Sequence, residues 1–156
     1  MTRYLASALA LAAVLVIAGL IFIRLDSFLA PSSNDPAGPA SPTVQIGGKT
    51  VRVTVADTPE TRQKGLGGRN SLAPDEGMLF IFPQDGEYGF WMKDMKFPID
   101  ILWLSSARRV VYMAQSVSPD TYPQTFTPTM PARYVLELPA GYAKAYTVDV
   151  GDEVRL

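Results

Sequence analysis

Apolar and polar residues alternate with period two from Lys49 to Ala56, KTVRVTVA, so that Val51, Val53 and Val55 share one face and Thr50, Arg52 and Thr54 the other. Such alternation predicts a strand with one wet face. Val44-Gln45-Ile46 precedes it across Gly47-Gly48. A Gly-Gly pair supplies the positive φ angles of a two-residue turn, so the two runs predict a hairpin. DTPETRQKG, Asp57 to Gly65, breaks the alternation and predicts a short helix: Asp57 as cap, Glu60 completing a capping box, Arg62 and Lys64 suiting the C-terminal dipole, and Gly65 ending it. Downstream, short apolar runs alternate with turn signals: GMLFIF, PQDGEYGFWM, FPIDILWL, VVYMAQ, RYVLEL and EVRL. This spacing predicts a mainly β fold, an antiparallel β-sandwich or small barrel with one short helix; a βαβ fold would need intervening helices. The exception is SVSPDTYPQTFTPTMP, Ser116 to Pro131, whose four prolines exclude regular structure. A loop of this length in a small domain points to function, and Tyr122, Phe126 and Met130 predict that it packs down.

The amino-terminal pattern is different. From Leu5 to Ile23 nineteen residues carry no charge, and at a helical rise of about 1.5 Å each they span roughly the hydrocarbon thickness. This predicts a transmembrane or signal helix within residues 1–25. Signal peptidase needs small residues at the last and third-last positions soon after the apolar run. Val16-Ile17-Ala18 falls inside the run, Phe28-Leu29-Ala30 is followed by Pro31, and Gly38-Pro39-Ala40 lies far downstream. An uncleaved anchor is therefore the preferred reading, with secretion as the outcome if the segment is cut. Arg3 on one side, against Arg24 offset by Asp26 on the other, places the remainder of the chain outside the cytoplasm, in the periplasm, tethered to the inner membrane. Residues 26–42, rich in Ser, Pro, Asn, Asp, Ala and Gly, read as a linker that buries too little apolar surface to order itself. Residues 43–156 form the β domain, expected as a monomer.

Composition narrows the chemistry by subtraction. The chain has no cysteine and no histidine, which removes disulfides, thiol nucleophiles, histidine triads and most zinc sites. Fourteen basic and fifteen acidic residues, intermixed, leave no basic stripe for nucleic acid. No cofactor or metal is expected. Met92, Met95, Met113 and Met130 raise copper(I) capture by thioethers, but methionine is more commonly a core filler and no imidazole is present to assist.

GLGGR (65 to 69), GMLFIF (77 to 82), FWMKDM (90 to 95), FPIDI (97 to 101) and YVLELPAG (134 to 141), in this order, resemble the bacterial and archaeal family called domain of unknown function 192. The resemblance covers the whole β domain. It implies a mostly β, often exported domain with no established activity. Two departures from the family pattern stand out: Gly67 where members commonly have methionine, and the pair Asp94-Met95 where they commonly have Asn-Thr.

The candidate site comes from charges inside apolar runs. In GFWMKDMKFPIDILWL, Gly89 to Leu104, period-two alternation puts Gly89, Trp91 and Lys93 on one face. Gly89 is expected to leave open space beside the Trp91 indole, a platform for a planar or sugar-like ligand with the Lys93 ammonium at its side. The bland alternative is that Trp91 packs under the proline-rich loop. Asp100 and Glu137 interrupt apolar strands, and a buried charge is costly unless paired, so Arg69 is expected to meet one of them, with Asp100, partly buried, either paired to Arg69 or held by backbone amides. Such a pair is more often architectural than catalytic. The site set is then Arg69, Trp91, Lys93, Asp100 and Glu137, binding a small polar ligand under the Ser116 to Pro131 loop. Two other readings stay open: an envelope hydrolase using Asp100 or Glu137 as acid or base, and a protein-interaction module. GLGGRN lacks the Lys-Ser/Thr of a phosphate loop and reads as a cap and turn, and there is no GxSxG element.

Overall fold

The computed structural model describes residues 41–156; the expected membrane segment and nearly all of the linker lie outside them. In chain order the elements are β1 (Thr43–Ile46), β2 (Lys49–Ala56), α1 (Pro59–Lys64), β3 (Glu76–Gly86), β4 (Phe90–Trp91), β5 (Ile99–Leu104), β6 (Val110–Val117), a 3-10 turn (Pro119–Thr121), β7 (Thr125–Phe126), β8 (Ala132–Pro139) and α2 (Tyr142–Ala145). Gly47 and Gly48 take φ of 57° and 70° and join β1 to β2 as an antiparallel hairpin. In β2, Val51 and Val53 are buried while Thr50, Arg52 and Thr54 are exposed, as the alternation requires.

The fold is mainly β, but it is neither an all-antiparallel sandwich nor a closed barrel. One six-stranded sheet runs in the order β1-β2-β3-β8-β5-β6, and a two-stranded ribbon pairs β4 with β7. The sheet is mixed because β2 and β3 lie parallel. Parallel neighbours need a crossover of a dozen or more residues, and α1 with the glycine-rich turn after it provides one. The helix expected to decorate the fold therefore connects two of its central strands. The final run EVRL is not a strand. It makes two isolated bridges, Arg155 with Gln45 and Glu153 with Arg109. Arg155 N donates to Gln45 O at 3.0 Å and Val110 N to Asp152 O at 2.9 Å, so this segment touches both outer strands of the sheet.

Both faces of the sheet are covered. One holds Val44, Val53, Leu102, Leu104, Leu136 and Leu138 under Tyr142 and Ala143 of α2 and Val148. The other holds Met78, Phe80, Ile101, Trp103 and Val135 under Leu66, Met92 and the partly buried Phe90 and Phe126. In consequence all six residues of β5 are buried, Asp100 included. At about 25 cal/mol per Å² of apolar surface, burial on two faces makes this strand a large contributor to stability. Trp103, fully buried, satisfies its indole N–H on Tyr88 O at 2.7 Å. Among the described residues no helix is long and apolar enough to cross a membrane.

Candidate functional site

The second face carries a cleft, and the turn after α1 forms one of its walls. The helix is capped by Thr58, not Asp57. Thr61 N donates to Thr58 Oγ1 at 3.2 Å and Thr58 N to Thr61 Oγ1 at 3.0 Å, so the capping box is Thr58/Thr61 and Glu60 stands outside it. Pro59 then occupies a first-turn position, where its missing N–H costs nothing. Arg62 Nη1 donates to Asp57 O and Ile81 O at 2.6 and 2.9 Å, tying the helix to β3. Gly65 ends the helix and Leu66 drops into the core.

The Gly67-Gly68 turn is sewn to the turn between β4 and β5. Gly68 N donates to Asp94 O at 2.9 Å. A side chain at Gly67 would stand 3.0 Å from Lys64 O and 3.5 Å from Lys93 O, so the close approach needs glycine. Asp94 adopts a left-handed φ of 59° to make the turn, which places Lys93 and Asp94 at the cleft mouth. The two departures from the family pattern, Gly67 and Asp94, thus sit against each other, with 3.6 Å between the position of the missing Cβ and Asp94 Cβ.

The cleft has a volume of about 800 Å³. Phe80, Phe82, Tyr88, Phe90 and Trp91 line it together with Leu66, the glycine turn, Glu60, Lys64, Lys93, Asp94 and Glu137. Glu137 is its unusual member. It pairs across the sheet with Met78 on one side and Ile101 on the other, is 5% exposed, and its Oε2 has no hydrogen-bond partner. Burial pushes its carboxyl up to about 8, against the field of Arg69, which acts to lower it. The group is then mainly neutral at pH 7, able both to donate and to accept a hydrogen bond. An unpartnered buried polar atom typically costs about 1 to 3 kcal/mol. A titratable group perturbed in this way inside a cleft marks a candidate site.

Three of the five residues singled out from the sequence, Trp91, Lys93 and Glu137, line this cleft. The other two do not. Arg69 Nη2 donates to Thr54 Oγ1 at 3.3 Å. The ion pairs among the described residues are Arg52 with Asp75 and Glu76, Arg109 with Glu153, and Arg133 with Asp85, so the expected pairing of Arg69 with Asp100 or Glu137 is not formed, and Asp100 takes the other expected arrangement, backbone amides. Asp100 belongs to the opposite face, beside Leu102 and against α2. Its Oδ1 accepts from Ser116 N and Gly141 N and its Oδ2 from Ala143 N, at 2.7, 3.0 and 2.8 Å.

The expected open space at Gly89 is filled. A Cβ there would lie 2.6 Å from Thr125 Cγ2, because β7 crosses at that point to pair Phe126 with Phe90. The Ser116 to Pro131 loop therefore buttresses the ribbon from outside, and none of its residues lines the cleft. Phe126 is partly buried, whereas Tyr122 and Met130 are 46% and 55% exposed. Trp91 is 53% exposed and meets Tyr122 edge to face at 6.0 Å. Trp91→Ala should accordingly cost less than about 1 kcal/mol in a urea melt; a loss of 3 kcal/mol would show the indole to be core. Met92 and Met95 pack on the cleft face and Met113 on the other, so the methionines do not gather around one point.

Period-two alternation assigns Tyr88, with Phe90 and Met92, to a core face, and Phe80 and Phe82 do not stand out as site residues. Phe80 and Phe82 recur at period two in GMLFIF, which looks the same for a core strand and a cleft wall.

The family profile described as uncharacterised ACR, domain of unknown function 192, matches residues 42–156. The chain belongs to this family. Solved structures to which it is similar include the following two crystal structures. One is of a protein from Sinorhizobium meliloti 1021 provisionally named a transcription regulator, at 32% identity and a TM-score of 0.66 over 72% of this chain and 88% of that one. The other is of a protein of unknown function from Novosphingobium aromaticivorans DSM 12444, at 28% identity and a TM-score of 0.70 over 81% and 93%. Among curated proteins none matches the chain.

Proposed function

We propose that this domain of unknown function 192 protein is a binding domain for a small polar ligand, held in the aromatic cleft with Glu137 at its floor. The observation that carries the reading is the Glu137 carboxyl, buried with one oxygen unpartnered in a cleft large enough for a ligand. A stable core would replace such a group with a hydrocarbon or supply its partner. The aromatic wall gives the apolar contact area and the mouth residues Lys64, Lys93, Asp94 and Glu60 the polar rim that such sites use. The uncharged run Leu5 to Ile23 supports placing the domain outside the cytoplasm on an inner-membrane tether; release of the chain from membranes by a carbonate wash would overturn that part.

A catalytic reading has one observation in its favour. An acid held near 8 is protonated at neutral pH, as a general acid must be. Its partner cannot be Asp100, whose carboxylate is committed to three amides across the sheet; Asp94 is the other exposed carboxylate of the cleft besides Glu60. Binding is the simpler reading and is tested first. Trp91 is half exposed and Trp103 fully buried, so acrylamide quenching of the full chain reports mainly on Trp91. Monosaccharides, amino acids, simple amines and short carboxylic acids are the probes. At least one class should protect Trp91 from quenching; no protection by any of them would overturn the reading.

A further inference from the structure

We propose that the ligand of this cleft carries an organic cation, an ammonium or guanidinium group, which enters along the aromatic wall formed by Phe90 and Trp91 and pairs with Glu137. The proposal rests on the reading of the cleft as a binding site and goes beyond it by naming the chemistry that is bound.

The first argument is the contrast between the two buried carboxyls of the described domain. Asp100 finds three backbone N–H donors inside the protein. Glu137 finds none for Oε2, and its partner has to come from outside. A neutral hydroxyl would satisfy one oxygen, whereas a cation would satisfy the charge as well and so offset the desolvation that keeps the group neutral.

Ring geometry points the same way. Phe90 stands almost perpendicular to Phe80, at 4.8 Å and 89°, and to Phe82, at 6.5 Å and 82°. Rings meeting at right angles turn faces in different directions, and each face carries the negative part of the ring quadrupole. Phe82 is stacked on Tyr88 at 3.6 Å and Phe80 is buried, so the rings that a cation would meet beside the acid are the partly buried Phe90 and the half-exposed Trp91. The protein already uses this attraction at the edge of the cleft, where the Arg62 guanidinium lies 5.3 Å over the Phe82 ring.

Among the remaining charges near the cleft cations outnumber anions, so a bound cation must owe its affinity to direct pairing with Glu137. The titratable groups facing the cleft are Glu60, Arg62 and Lys64 from α1, Tyr88 before β4, and Lys93 and Asp94 after it, with Arg69 acting on Glu137 through space. Arg62 is committed to two backbone carbonyls. Lys64 and Lys93 are exposed, where water and salt screen them, and Glu60 and Asp94 offset them in sign. Among the lining residues Glu137 is the buried carboxyl.

Pairing requires the carboxylate, so binding a cation at neutral pH must release the proton from Glu137. Because burial holds that proton up to about 8, affinity should rise with pH until about 8 and then level off, whereas a neutral ligand would leave the proton in place.

The test is calorimetry on the full chain at pH 7 in two buffers of different ionisation enthalpy. The probes are choline, ethylammonium, benzylammonium and methylguanidinium, with 3,3-dimethylbutan-1-ol as the uncharged isostere of choline. At least one cation should bind about ten-fold or more tightly than the isostere, a difference of about 1.4 kcal/mol, and release about one proton. Glu137→Gln should remove both the preference and the proton release while leaving the isostere unaffected. Should that variant not fold, Trp91→Leu should weaken the cation several-fold and spare the isostere. Failure of every cation to exceed the isostere, or cation binding without proton release that survives Glu137→Gln, overturns the inference. If the isostere or a monosaccharide nevertheless protects Trp91 from quenching, the cleft is still a binding site and only its cation chemistry is wrong. If no probe protects Trp91, both readings fail together.

Discussion

Asp100→Ala is expected to lower the stability of the domain by about 3 to 5 kcal/mol, the range for removing one partner from a buried charged network. The carboxylate is fully buried and serves three N–H groups at once. Two of them, Gly141 and Ala143, open α2, and Gly141, at the cap position with a φ of 80°, has no side chain to cap the helix itself. Asp100 is therefore a cap supplied from another strand, filling the role that Ser or Asp usually fills locally. The third, Ser116, belongs to β6 where the β5–β6 register shifts between Ile99 and Ile101, so the irregularity in that pairing is the shape that brings an amide to the carboxylate. Alanine would orphan three donors at about 1 to 3 kcal/mol each, with partial relief from relaxation. Asp100→Asn keeps the shape but turns an NH2 toward at least one donor, and should fall between alanine and the native protein. Urea melts of both variants decide the matter, and an indifferent Asp100→Ala would remove the structural role assigned to this residue.

Glu137→Gln should act in the opposite direction at alkaline pH. The unfolded side chain titrates near 4.5 and the folded one near 8. Between these values the folded state holds a proton that the unfolded state has lost, so native stability falls as pH rises through this window and is flat above it. Each unit of the difference is worth about 1.4 kcal/mol. Glutamine does not titrate and removes the slope. The variant should match the native protein below pH 4.5 and exceed it by something on the order of 2 to 4 kcal/mol at pH 8 and above. Subtracting the two stability curves cancels the other carboxyl groups, and a difference that does not change with pH would rule out the buried, raised carboxyl. A group that costs stability at the floor of a cleft is what a trade of stability for function predicts.

Much of the fold was legible because local chemistry decides it. Gly47-Gly48 can only be a tight turn between the valine-rich runs, and the apolar runs of β3, β5, β6 and β8 are too short and too β-branched or aromatic to be helices. The parallel pairing of β2 with β3 was not legible, since side chains alternate with period two whichever way the neighbour runs. The helix cap moved by one residue because Thr61 could answer Thr58 as well as Glu60 could answer Asp57. For the site, a charge in an apolar run told correctly that Asp100 and Glu137 are buried. It could not tell them apart, because what separates them is whether donors arrive from elsewhere in the chain. Gly141 and Ala143 arrive at Asp100 by way of α2; nothing arrives at Glu137 Oε2. Gly89 misled for a related reason: a missing side chain marks close approach as readily as open space, and Thr125 occupies the position.

The bridges from the last residues to Gln45 and Arg109 bear on how fast this domain can fold. Gln45 meets Arg155 across almost the whole domain, and β2 reaches β3 only through a crossover, so of the five pairings in the large sheet only the β1–β2 and β5–β6 hairpins reward closure of a short loop. Such topologies fold in milliseconds to seconds, orders of magnitude more slowly than helical bundles of similar stability. Until the carboxy-terminal bridges form, the outer edges of β1 and β6 lie open to pairing with other chains. The carboxy-terminal residues thus cover part of both edges, and only when the last part of the domain has found the first: Arg155 shields β1 at Gln45 and the residues before it shield the start of β6.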